Sequence, residues 1–265
     1  MIPFIKSWRE WRRRRAAEAI AIAIDETQWQ DVEYPLPFLD RLSNGERSRL
    51  RELARQFIAE KEWSGARGLE LTAPMQLSIA LQACLPILNL GLDAYRGWVG
   101  IVVYPGDFVI PRRQMDEAGV VHEYDDHVLG EAWEGGPVLV SWFENLAEAG
   151  DVNIVIHEFA HKLDMGNGEV DGVPALPEEM SRRAWVAAFE PAYVDFCRRV
   201  DSGEDTAIDP YAAEHPGEFF AVLSEVFFEA PDLLRDEYPA VYAQLARYYR
   251  QDPLAASSTS SPTAA

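Results

Sequence analysis

Asn153-Ile154-Val155-Ile156-His157-Glu158-Phe159-Ala160-His161-Lys162-Leu163-Asp164, NIVIHEFAHKLD, holds two of the chain's five histidines, four positions apart, with an acid beside the first. Asp151 or Asn153 can cap a helix start and Gly166 with Gly168 can end one, so the spacing predicts a helix of about four turns from Val152 to Met165. Residues four apart share a helix face, which brings both imidazoles within reach of a single Zn²⁺ at ~2.0–2.1 Å. Glu158 sits about 100° further round, off the ligand line, where a carboxylate can take a proton from water activated by the metal. Ile154, Val155, Ile156, Phe159, Ala160 and Leu163 make the same helix largely apolar. Two histidines and a glutamate buried in such a helix are costly unless something satisfies them, and a metal does.

Two histidines and a water leave one tetrahedral position for another protein ligand. Candidates lie downstream in Tyr211-Ala212-Ala213-Glu214-His215-Pro216-Gly217-Glu218-Phe219-Phe220-Ala221-Val222-Leu223-Ser224-Glu225. Pro216 suits the first turn of a helix, which puts Glu218 early in it and Glu225 two turns on along the same face. Glu218 is the better ligand and His215 the lesser one. Glu225 is either an acid orienting an imidazole from behind or a surface residue. Tyr211 can offer its phenol to a developing oxyanion, or be an aromatic packed before the helix. Asp164 can accept the distal N–H of a ligand imidazole, or be a solvated acid at a helix end. His122 and His127 sit in a strand-like segment at a spacing that puts them on opposite faces, which argues against a second metal site.

The 265 residues and 29.9 kDa suit one large domain or two small ones. A formal net charge of −20 argues against a direct nucleic-acid partner, whose phosphates need a concentrated basic face. Lys6, Arg9 and Arg12–Arg15 against Glu10 make the start basic, and this segment reads as a helix lying on the acidic body rather than a signal peptide. No run approaches the ~20 apolar residues of a membrane span. Cys84 and Cys197, far apart and in no CxxC pair, suit a reducing compartment and read as small core residues.

Helical periodicity covers about Asn44 to Lys61 and Gln76 to Leu88. From Gly97 to Trp142 short β-branched and aromatic runs, WVGIVVYP, FVIPRR, VVHEY and GPVLVSW, predict a small, mostly antiparallel sheet. Helices follow at about Glu178 to Phe189, from Pro191 to Val200, Pro216 to Glu229 and Pro231 to Tyr249. This is an α+β pattern. It divides into an N-terminal helical part, 1–90, packed on a core, 91–254, and a disordered Ala/Ser/Thr/Pro tail, 255–265. If Gly136 to Trp142 is the sheet edge beside the metal helix, its free backbone groups can pair with an extended peptide.

His157-Glu158-Phe159-Ala160-His161-Lys162-Leu163-Asp164, Asp171-Gly172-Val173-Pro174, Gly136 to Trp142 and Glu218 to Glu225 together resemble the Mlc titration factor A peptidases, which are similar around the metal site to the anthrax lethal factor catalytic domain. The resemblance covers most of the chain and implies a zincin-like, gluzincin-type metallopeptidase domain. It implies His157, His161 and Glu218 as ligands of one zinc ion, Glu158 as general base and Tyr211 as the oxyanion-stabilising phenol. In the lethal factor pattern an acid follows the third ligand by four residues. Here that place is Val222, so an orienting acid must be found elsewhere, at Glu225 or Asp164. Cytoplasmic location, peptidase or aminopeptidase action on small peptides and binding to the glucose-responsive repressor Mlc are further implications. The rival reading is a non-catalytic binding protein that sequesters such a repressor. Structural zinc sites are usually closed by four protein ligands, so three ligands and a base favour the enzyme.

Overall fold

The computed structural model describes residues 24–115, 121–143 and 152–257. The basic start and the tail from residue 258 lie outside the described residues. Helix α1 (Glu26–Glu33) opens on an Asp25–Gln28 capping box, and α2 (Asn44–Glu60) on a Ser43–Glu46 one. In both, side chain and backbone satisfy orphan N–H groups reciprocally. A short strand β1 (Glu62–Gly65) leads to α3 (Ala73–Cys84), capped by Thr72, with Pro74 in its first turn. Then come β2 (Gly100–Pro105), the hairpin β3 (Phe108–Met115) and β4 (Val121–Val128), β5 (Gly130–Ala132) and β6 (Val138–Trp142). Six helices complete the described chain: α4 (Ile154–Asp164), α5 (Arg182–Asp201), α6 (Pro216–Glu229), α7 (Pro231–Glu237), α8 (Pro239–Tyr249) and α9 (Pro253–Ser257).

The α+β class stands, but the main sheet is mixed rather than mostly antiparallel. Its order is β1-β2-β6-β5, with β1 and β6 both parallel to β2 and only β5 antiparallel, against β6. The cause is the four-residue β1, too short to announce itself, which reaches β2 through the α3 crossover and must therefore run parallel to it. The β3–β4 pair is antiparallel and separate. Nor is β6 the edge. Its first four residues are buried, as expected of a strand flanked on both sides, and β5 occupies the edge position instead.

Prolines decide two helix boundaries differently from their spacing. Pro191 lies inside a continuous α5, where the carbonyl it frees belongs to exposed Ala187 and can be hydrated. Pro239, preceded by Tyr238 at φ −135 and ψ 70, does split α7 from α8. Residues 255–257 belong to α9, where the Asp252 carboxylate accepts from the Leu254 and Ala255 N–H groups. His122 and His127 both lie in β4 with an odd separation. Cys84 is fully buried, but Cys197 is only half-buried, against the Ala213 carbonyl. No helix among the described residues is long and apolar enough to cross a membrane.

One hydrophobic cluster runs from Trp29 to Tyr249 and takes residues from every helix between α1 and α8. Phe159 of α4 lies at its centre, with ring centroids 5.6 Å from Phe57, 5.3 Å from Tyr95 and 5.7 Å from Trp98. This packing holds α4 against α2 and the 92–98 segment. Phe159→Ala is expected to destabilise the protein by about 3–5 kcal/mol, measured by denaturant unfolding; a loss under 1 kcal/mol contradicts this placement.

Candidate metal centre

Helix α4 begins at Asn153, whose side-chain oxygen accepts from the Ile156 N–H. Every residue from Val155 to Asp164 is buried, because α4 is wedged between α6, α3 and the strands β5 and β6. Helix α6 begins at Pro216, with His215 as its cap, the Nδ1 accepting from Gly217 N–H at 3.1 Å. The α4–α6 packing brings Nε2 of His157, Nε2 of His161 and Oε2 of Glu218 to 3.1 Å from one another, pair by pair. A tetrahedron with ~2.0–2.1 Å bonds has edges of about 3.3 Å, so this triangle fits a zinc-sized ion with one position left open. Among the described residues these three form the group able to hold a metal. His215 is not part of it.

Glu225 is buried, not a surface residue. Its Oε1 meets His157 Nδ1 at 2.6 Å, and its Oε2 accepts from the Asn153 N–H at 2.8 Å. Asn153 also donates from its amide to Glu229 at 2.8 Å. One residue thereby caps the histidine-bearing helix and ties it to two acids of α6. Asp164 does not reach an imidazole: Nδ1 of His161 and Oδ1 of Asp164 both lack a hydrogen-bond partner among the described residues. It is 0% exposed rather than solvated, and its Oδ2 accepts from the Gly172 N–H at 2.9 Å. Gly172 has φ +76, and a Cβ there would lie 2.4 Å from the Pro216 carbonyl oxygen. The Asp171–Pro174 turn is thus bolted between the end of α4 and the start of α6.

Glu158 is 3% exposed, and its Oε2 has no partner among the described residues. It lines a cleft of about 1150 Å³ together with His157, His161, Glu218, Tyr211 and the strand β5. Tyr211 is not packed away: it is 45% exposed on a 3-10 turn, its ring 6.1 Å from that of His157, and its N–H is held by Asp209 at 2.9 Å. Sequence spacing carried no sign of Gly130. A Cβ at this position would lie 2.6 Å from Oε1 and Cγ of Glu158, so a side chain here cannot coexist with that carboxylate in its present place. A lone glycine in a strand three residues long signals only close approach, without saying to what.

Burial, which opposes charging, is outweighed at His157 by hydrogen bonds to Glu218 and Glu225, and its pKa rises to about 10. Burial also works against Glu218, yet both imidazoles hold its carboxylate well below the usual range. Burial pushes Glu158 up to about 8; the His157 charge opposes this, and Glu218, Glu131 and Glu225 add to it. Asp164 rises to about 7 through burial, against the Gly172 hydrogen bond. At each of His157, Glu158 and Asp164 the folded chain binds a proton more tightly than the unfolded chain, so stability falls as pH rises through these windows. For His157 the window runs from 6.5 to about 10, and for Glu158 from 4.5 to about 8. The melting temperature of chelator-treated protein is therefore expected to drop between pH 6.5 and pH 9, read by calorimetry. A rise over that interval contradicts the assignment.

Residues 8–250 match the family described as glucose-regulated metallo-peptidase M90. The chain is 40% identical over 234 residues to Mlc titration factor A of Serratia proteamaculans (strain 568), covering 86% of this chain and 88% of that one. Mlc titration factor A of Klebsiella pneumoniae subsp. pneumoniae is 38% identical over 236 residues, 87% and 88%. That of Pectobacterium atrosepticum is 40% identical over 232 residues, 86% and 87%. With its paired histidines and glutamate gathered on two helices, the chain belongs to the glucose-regulated metallo-peptidase M90 family.

Proposed function

We propose that this protein is a zinc metallopeptidase, zincin-like and of the gluzincin type, that hydrolyses peptide bonds in the cleft between β5, α4 and α6. The observation that carries the reading is the 3.1 Å triangle of His157, His161 and Glu218 with the Glu158 carboxylate buried beside it. Those three residues would hold the ion, which when bound supplies a Lewis acid that polarises a carbonyl and acidifies water. Glu158, which lines the cleft and has one unpartnered oxygen, takes the proton of the attacking water and passes it to the leaving amine. Tyr211 donates its phenolic hydrogen to the developing oxyanion from the cleft side. Glu225 acts through His157, fixing the tautomer that leaves Nε2 free to ligate.

The edge strand supplies the substrate track. Ser141 N–H donates to the Leu129 carbonyl and Trp133 N–H to that of Pro137, so residues 129, 131 and 133 face β6 with their backbone groups. By alternation, the backbone groups of Gly130 and Ala132 face away from β6, at the cleft, where an extended peptide can pair with them. The described cleft residues include Glu131, Asp209 and Glu214 and no lysine or arginine. That field favours a substrate bearing a free ammonium, which supports aminopeptidase action on small peptides. The name of the relatives supports a second activity, binding of a repressor of the Mlc type, and both activities fit a cytoplasmic protein.

The test is one preparation of parent and Glu158→Gln, assayed for bound zinc and for peptide hydrolysis. The variant is expected to retain zinc and lose ~10²–10⁴-fold in kcat. Undiminished hydrolysis removes Glu158 from its role, and binding of a repressor with no hydrolysis by either protein favours sequestration. Glu225→Ala is expected to weaken zinc affinity ~10–100-fold, measured by competition with a chromogenic chelator. Gly130→Ala should keep zinc and lose kcat, because the added methyl displaces the Glu158 carboxylate and leaves the ligand triangle alone.

A further inference from the structure

Lys162 follows His161 on α4 and is only 4% exposed, yet none of the steps above uses it. Its ammonium donates to two carbonyls, those of Trp133 and Gly136, the latter at 2.9 Å. Both belong to the turn joining β5 to β6. The ammonium also lies 4.9 Å from the Trp98 ring centroid, a contact that suits a desolvated cation. The turn is tight on its own account: Gly136 N–H donates back to the Trp133 carbonyl at 3.0 Å, Gly135 has φ +60, and a Cβ on Gly136 would lie 2.9 Å from that of Trp133. A lysine is among the costliest side chains to bury, and an apolar residue of equal length would fill the space without desolvating a charge.

We infer that Lys162 is a positioning residue for substrate: by clamping the Trp133–Gly136 turn to the metal helix, it holds the edge strand β5 at the height where the backbone groups of Gly130 and Ala132 meet an extended peptide. Glu158 against Gly130 at one end of β5 and Lys162 under the turn at the other fix this strand to α4 at two points. The base, two of the three candidate ligands and the clamp then share one rigid helix, so the track along which peptide lies cannot shift relative to the chemistry. The inference rests on the peptidase reading above.

Two variants and two substrates test it. Parent, Lys162→Met and Lys162→Arg are compared for zinc content, kcat and KM on a single-residue chromogenic amide, which is too short to lie along β5, and on an unstructured hexapeptide, which can. Lys162→Met keeps the stem and removes the charge. It is expected to retain zinc and to keep kcat on both substrates within about 2-fold. Its KM for the hexapeptide should rise about 10-fold or more while that for the amide stays within about 3-fold, and Lys162→Arg should restore part of the difference. Amide hydrogen exchange over residues 130–138 in Lys162→Met should quicken while that of α4 stays unchanged. Loss of zinc, an equal fall in kcat on both substrates, or an unchanged hexapeptide KM overturns the inference and leaves the peptidase reading standing. A parent that hydrolyses neither substrate overturns the peptidase reading and this inference with it.

Discussion

Everything near the cleft depends on one constraint: helices α4 and α6 must pack two buried imidazoles against the buried Glu225 and the half-buried Glu218 so that each ring meets an acid. The Glu218–His157–Glu225 arrangement meets it by placing an acid on each nitrogen of one ring. Hydrogen bonds to these two carboxylates favour the charged form of His157, which offsets their charge as a cation at the triangle would. Burial that would destabilise a bare carboxylate therefore becomes tolerable in either state, with proton or with metal. The apolar faces of both helices, Ile156, Phe159, Ala160 and Leu163 on one and Phe219, Phe220 and Leu223 on the other, are buried in the core beneath the polar stripe. In that largely buried setting the electrostatic interactions of the stripe are stronger than they would be in water.

How much of this could be read from the chain depended on how local each signal was. The histidine pair and its neighbouring acid lie within one turn of a helix, and α6 announces itself by Pro216 and a long apolar run. Both helices were therefore legible, and so was Glu218 as a candidate. Glu225 and Asp164 were not separable, because both are acids at helix-compatible spacing and only the packing shows that one touches an imidazole while the other holds the Gly172 turn. The pairing of the sheet is hidden for the same reason. Strands of four and three residues are too short to show alternation, and parallel pairing joins segments whose sequence proximity says nothing of their contact. Helix α1, polar and short, left no periodic trace, and its capping box was its only mark.

Two residues without a local sequence signal share a property. Gly130 and Lys162 are defined by what lies against them, a carboxylate in one case and two carbonyls of a turn in the other. Nothing in their immediate sequence distinguishes this glycine from a flexible one, or this lysine from a solvated one of the kind common on helix surfaces. Their burial is the information, and burial is a property of the whole fold.

Arg41, in the short helical turn before α2, donates to the carbonyls of Phe228 and Glu229, the last residues of the helix that begins near Glu218. A cation at that end of a helix also meets the negative pole of its dipole. The consequence is evolutionary and practical: the turn that carries Arg41 and the last residues of α6 depend on each other. A lineage that lost this turn would leave the Phe228 and Glu229 carbonyls without the donor they have here. Moving the α4–α6 pair between proteins is thus tied to carrying the Arg41 turn along.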